Sequence, residues 1–113
     1  MNMTKKNFDA PDDQMAPSDK IRMATIMFGT VKVQRFTGQP GWRWSIDLKP
    51  VFKTESCPID HILYVVSGKL HVKMDNGQEL DFVPGDIAHI PPGHDGWGDG
   101  NDPTVWLEIP HNA

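Results

Sequence analysis

Glycine and proline cut the second half of this chain into pieces too short for regular helices. Ser67-Gly68, Asp75-Asn76-Gly77, Pro84-Gly85-Asp86 and Pro91-Pro92-Gly93 separate the runs Leu70-His71-Val72-Lys73-Met74, Glu79-Leu80-Asp81-Phe82-Val83 and Ile87-Ala88-His89-Ile90. Short runs of this kind between turn signals read as strands, and Asn-Gly between two of them is the strongest short hairpin signal. The first half has the same texture. Ile21 to Phe28 is rich in apolar residues, and Val31 to Phe36 nearly alternates. A turn at 37–41 leads to Trp42-Arg43-Trp44-Ser45-Ile46-Asp47-Leu48, which alternates cleanly and is expected to be a strand ended by Pro50. His61 to Ser67 and Thr104 to Ile109 complete the set, with 94–103 expected as a loop. No segment carries a 3.6-residue apolar period with caps. Some eight short strands joined by turns indicate an all-β fold, a sandwich or barrel.

The chain has 113 residues, which suits a single domain and is too short for two. Residues 1–20 are polar and acidic, with nothing to bury, so they are expected to form a flexible or partner-clasping arm ahead of one domain at 21–113. The formal net charge of -4 argues against nucleic acid or an anionic membrane as a main partner. No stretch approaches the run of about 20 apolar residues that a membrane helix needs. The basic start, Met1 to Asn7, is followed by no apolar core and does not read as a secretory signal. One cysteine can form no internal disulfide and no Cys-x-x-Cys zinc knuckle, and it fits a reducing, cytoplasmic setting.

That cysteine lies in the chemically richest stretch, Glu55-Ser56-Cys57-Pro58-Ile59-Asp60-His61. Positions 55, 57 and 61 are separated by even offsets, so on an extended chain their side chains share a face. Pro58 disturbs regularity, and the projection is firmest from His61 onward. Each residue also has a plain structural reading: a cysteine as a small buried hydrophobe, a histidine as a hydrogen-bonded scaffold residue, Glu55 as a solvated charge.

Tyr64-Val65-Val66-Ser67-Gly68-Lys69-Leu70-His71-Val72, with Pro84-Gly85-Asp86 and Ile90-Pro91-Pro92-Gly93-His94, resembles the two sequence blocks of the cupin superfamily over roughly residues 40 to 109. The resemblance implies a small antiparallel jelly-roll β-barrel, often dimeric, with a metal held inside by both blocks. In the family the first block reads His-x-His, a spacer, Glu, six residues, Gly. Counting back from Gly68 puts His61 on the glutamate position, Cys57 on the second histidine and Glu55 on the first. The second block would place a histidine at Gly96, but here the nearest one, His94, is displaced by two residues.

The resemblance therefore implies a metal set of Cys57, His61 and His94, with Glu55 as a further oxygen ligand or an outer base. Thiolate with imidazole suits one divalent transition ion, zinc, iron, nickel or cobalt, and disfavours magnesium and calcium. Trp44, Arg43, Asp95 and Trp97 are the expected ligand contacts near the mouth, and Trp42 and Trp106 are expected in the core. His71, His89 and His111 are expected to be structural. Three functions fit: a small metalloenzyme of dioxygenase, isomerase or hydrolase type acting on an organic acid; a ligand-sensing or ligand-binding module, with or without metal; and a metal-free assembly domain. A homodimer is expected, with the Ile21–Phe28 strands meeting across the interface, because an apolar strand at a sheet edge needs a partner.

Overall fold

The computed structural model describes residues 1–111. Nine strands alternate with turns: β1 (Asp13–Ser18), β2 (Ile21–Phe28), β3 (Val31–Gly38), β4 (His61–Ser67), β5 (Leu70–Met74), β6 (Glu79–Phe82), β7 (Ile87–Ile90), β8 (His94–Gly98) and β9 (Thr104–Glu108). Two single-turn helices, α1 (Trp44–Asp47) and α2 (Lys49–Phe52), interrupt them. All pairings are antiparallel. They build a six-stranded sheet in the order β1-β2-β3-β9-β4-β7 and a three-stranded sheet β6-β5-β8. This is the all-β jelly-roll architecture expected, with one refinement: the two sheets face each other and do not close into a continuous barrel. No helix among the described residues is long and apolar enough to cross a membrane.

Strand parity explains what each sheet buries. On β4, Leu63 and Val65 are buried while Tyr64 and Val66 are exposed, and on β9 Thr104 and Trp106 are buried. Leu63, Val65 and Trp106 form one core cluster with Leu70 and Val72 of β5, which also includes Ile21, Trp42, Trp44 and Ile90. Gly68 turns β4 into β5 at φ 75°, where a Cβ would lie 2.3 Å from the Pro103 carbonyl oxygen. Both facts demand glycine.

Three segments depart from the sequence expectation. Trp42 to Leu48 is not a strand. Asp47 turns back to accept a hydrogen bond from the Arg43 backbone N–H (2.8 Å), and its other oxygen accepts one from Ser18 Oγ (2.8 Å). A carboxylate that satisfies the free N–H at a helix start favours the helical turn over extension. Residues 94–98, expected within a loop, form β8 and pair with β5 from Met74↔His94 to Leu70↔Gly98. Glycines weaken a strand unless something must come close to it, and here the Trp42 ring does: a Cβ on Gly98 would lie 2.7 Å from Trp42 Nε1. Finally, residues 13–18 of the expected arm form β1, paired with β2. The Ile21–Phe28 strand is therefore flanked on both sides within its own chain, and the edge of the sheet is β1.

Candidate metal centre

Cys57, His61 and His94 come together between the sheets, each offering a ligand atom within 4.8 Å of the others. His61 opens β4 on its inward side, in register with Ile90. His94 opens β8, where Cys57 meets it through a two-way backbone bridge: Cys57 N donates to His94 O (2.8 Å) and Gly93 N donates to Cys57 O (2.8 Å). Because 94–98 is a strand, the displacement of the histidine from 96 to 94 keeps it on the buried side; His94 and Gly96 line the same cavity.

The outer nitrogen of His94 is hydrogen-bonded, and that of His61 lies against a carboxylate. His94 Nδ1 donates to the Pro91 carbonyl at 2.7 Å, which leaves Nε2 as the nitrogen available on the Cys57 side. His61 Nδ1 lies 2.9 Å from Glu108 Oε1, off the line of a good hydrogen bond, and is otherwise buried without a partner. His61 Nε2 lies 3.6 Å from Cys57 Sγ. A carbonyl or carboxylate behind each ring is the support that metal-binding histidines require, since it sets the tautomer and aims the other nitrogen inward. One thiol and two such imidazoles converging in a buried space fit a divalent transition ion in donor chemistry.

The electrostatics agree. Burial works to raise the Cys57 thiol, but hydrogen bonds from His61, His94 and the Ile59 backbone, with the His61 charge, outweigh it and bring it down to about 6. Burial likewise works against the His61 charge, but Cys57 and Glu108 outweigh it and push the ring up to about 9. At neutral pH the metal-free chain thus holds a thiolate beside an imidazolium, so the sulfur is already in its ligating form.

Glu55 does not join them. Its side chain is fully exposed and lies 3.5 Å from Lys49 Nζ, because the chain at 54–56 bends and loses the extended parity that would have aligned Glu55 with Cys57. The expected ligand contacts also divide. Trp44 lines the cavity. Arg43, Asp95 and Trp97 do not: Asp95 and Trp97 are the outward-facing residues of β8. There Arg43 Nε donates to Asp95 Oδ2 (3.0 Å) and its guanidinium lies 4.2 Å over the Trp97 ring, which stacks on His71 at 4.6 Å. His71 is held by Asp81 (2.6 Å) and Glu79 (2.8 Å), and Asp60 joins His89 and His111 at 2.9 and 3.0 Å.

The cavity over the candidate centre holds about 380 Å³. Its walls are mostly apolar and aromatic, including Phe36, Trp42, Trp44, Phe52 and Trp106. Glu108, the carboxylate behind His61, was not among the expected site residues. Parity carried the signal, since Thr104, Trp106 and Glu108 share the inward face of β9 and a carboxylate next to an inward tryptophan calls for a partner.

The family model for the EutQ-like cupin domain, Cupin_3, matches residues 41–105. No curated protein sequence matches this chain. Among solved structures, one designated ethanolamine utilization protein Q from Salmonella typhimurium LT2 superposes with a TM-score of 0.54 at 18% identity, over 81% of this chain and 71% of that one. The Cupin_2 domain of an XRE family transcriptional regulator from Enterobacter cloacae gives 0.60 at 16% identity, over 84% and 99%. A Trp-to-Tyr variant of oxalate decarboxylase from Bacillus subtilis gives 0.57 at 23% identity, over 83% of this chain and 26% of that enzyme. At these identities the structural likeness shows the fold alone. The family match spans more than half of the chain, on the strands and turns described above, and the chain belongs to the EutQ-like cupin domain family.

Proposed function

We propose that this chain is a metal-binding cupin in which Cys57, His61 and His94 hold one divalent transition ion, zinc, iron, nickel or cobalt, at the wall of a small-molecule cavity. The observation that carries the reading is the paired support behind the two rings: Pro91 O behind His94 and Glu108 behind His61, with both Nε2 atoms turned toward the thiol side of the cavity. Three protein donors leave room for a ligand, as catalytic centres do and closed structural sites do not. A bound ion would supply Lewis acidity toward an oxygen of that ligand. The chain itself would supply the rest. Glu108 holds His61 in place, the indole walls exclude water, and the cavity confines an organic acid for chemistry of dioxygenase, isomerase or hydrolase type.

A non-catalytic ligand-binding role is the second reading, and one feature favours it. Glu108 is the one carboxylate lining the cavity among the described residues, and it is committed, accepting from Trp106 Nε1 at 3.1 Å and abutting His61. Among the described residues, no histidine or carboxylate lines the cavity besides Glu108 and the proposed metal set. Conversion of a bound organic acid to product would rule out this second reading; stoichiometric retention would support it.

The proposal includes a reducing, cytoplasmic setting, where a lone thiol stays available. It also includes a homodimer in which the N-terminal arm reaches a second copy along the exposed β1 edge, a mass doubled in light scattering being the expected result. Metal analysis tests the centre. Protein purified without added metal should carry about one transition ion per chain, and His61→Ala should carry almost none while its circular dichroism stays that of a β protein. Unchanged metal content in that variant would overturn the assignment.

A further inference from the structure

The residues of β3 that face the cavity are Lys32, Gln34 and Phe36, running from the mouth inward. Gln34 stands opposite Glu108 and Phe36 opposite Trp106. The two ends of the cavity therefore differ. The deep end is aromatic, with Phe36 stacked on Trp106 at 5.2 Å and Trp106 against Trp42 at 5.2 Å. The end at Gln34 and Glu108 is polar, while Phe52 and Ile59 are exposed apolar residues elsewhere on the rim, and Lys32 is the one lysine or arginine lining the cavity among the described residues.

The polar groups near Lys32 are already committed. Gln34 Nε2 donates to Thr25 Oγ1 (3.2 Å), and Glu108 is engaged by Trp106 and His61. Lys32 itself makes no side-chain hydrogen bond or ion pair among the described residues, and it stands exposed at the rim. One uncommitted cation above an apolar, aromatic interior matches a molecule with one negative end and an apolar body. A small dicarboxylate fits poorly away from the Cys57, His61 and His94 set, because a second charge turned onto the indole and phenyl walls would lose its water with no cation there to meet it.

We propose that the cavity selects a monocarboxylate with an aromatic or branched apolar body, Lys32 meeting the carboxylate at the mouth and the aromatic walls taking the body. This deepens the reading of the cavity as a small-molecule site; it does not require that the metal be bound. A carboxylate turned inward onto the ion is the competing arrangement, and Lys32 separates the two.

Calorimetric titration with 3-phenylpropionate, its uncharged amide and oxalate tests this, on metal-loaded protein and on protein stripped with a chelator. The acid should bind both forms, about fivefold more tightly than the amide, the fold-change of a partly exposed ion pair. Lys32→Met should remove that preference and Lys32→Arg should keep it, both with unchanged metal content. Equal binding of acid and amide, a preference that survives Lys32→Met, or oxalate binding more tightly than 3-phenylpropionate to the metal-stripped protein would each overturn the proposal. A chain that carries no metal yet binds the acid in a Lys32-dependent way would sink the metal assignment and leave this inference standing.

Discussion

Metal affinity should rise steeply with pH across a window set by two coupled groups, and removing the thiol should flatten it. In the metal-free chain the Cys57 thiol lies at about 6 and the His61 ring at about 9. Between those values the sulfur is already deprotonated, while His61 carries a proton on the nitrogen that an ion must take. Each ion bound then displaces one proton, so affinity should increase tenfold per pH unit, about a thousandfold over the window. Above about 9 both groups are deprotonated and the curve should level off; below about 6 a second proton, from the thiol, must also leave, and the slope should steepen. In Cys57→Ser the thiolate that lifts His61 is gone, so the ring falls back toward its ordinary value of 6.5 and the rise above neutrality should be largely lost. Affinity should also fall at every pH, because a serine hydroxyl replaces a thiolate. Competition against a chromophoric chelator at half-unit steps from pH 6 to 9 gives both curves. A wild-type affinity that does not change with pH would refute the coupling, and a Cys57→Ser curve parallel to wild type at equal affinity would refute ligation by the sulfur.

Glu108→Gln keeps the shape of the side chain and removes its charge, so metal affinity should drop about 10- to 100-fold by the same titration, while Glu55→Gln should leave it unchanged. If Glu55→Gln weakened binding as much as Glu108→Gln, the carboxylate behind His61 would be misassigned. Gly98→Ala would place a methyl group 2.7 Å from both Trp42 Nε1 and Thr104 Oγ1, two buried neighbours with no room to move. The overpacking should cost about 1–3 kcal/mol in denaturant unfolding; an unchanged midpoint would mean that the Trp42 ring is not packed against β8 as described.

What could be read from the amino-acid order was whatever depends on the chain being extended or sharply turned. Asn76-Gly77 and Ser67-Gly68 mark turns by local backbone chemistry, and β4, β5, β7 and β9 follow from short runs between such turns. Parity then carried His61 to the inward face of β4 without reference to any distant residue. Parity failed where a distant partner decides whether the chain is extended at all. The alternation of Trp42, Trp44, Ile46 and Leu48 suits a strand, yet Asp47 reaches both Arg43 N and Ser18 Oγ, and the second contact exists only once β1 is in place. The glycine-rich segment after Gly93 looks like a loop until β5 supplies hydrogen bonds and Trp42 fills the space its glycines leave. That single change turns Asp95 and Trp97 outward, away from the cavity, and carries His94 inward to Cys57. Glu55 drops out for the opposite reason, lying where no neighbouring strand holds the chain straight. The Glu108 contact behind His61 and the Lys32 rim are likewise products of register, because β3, β4 and β9 are far apart in sequence and adjacent only in the folded sheet.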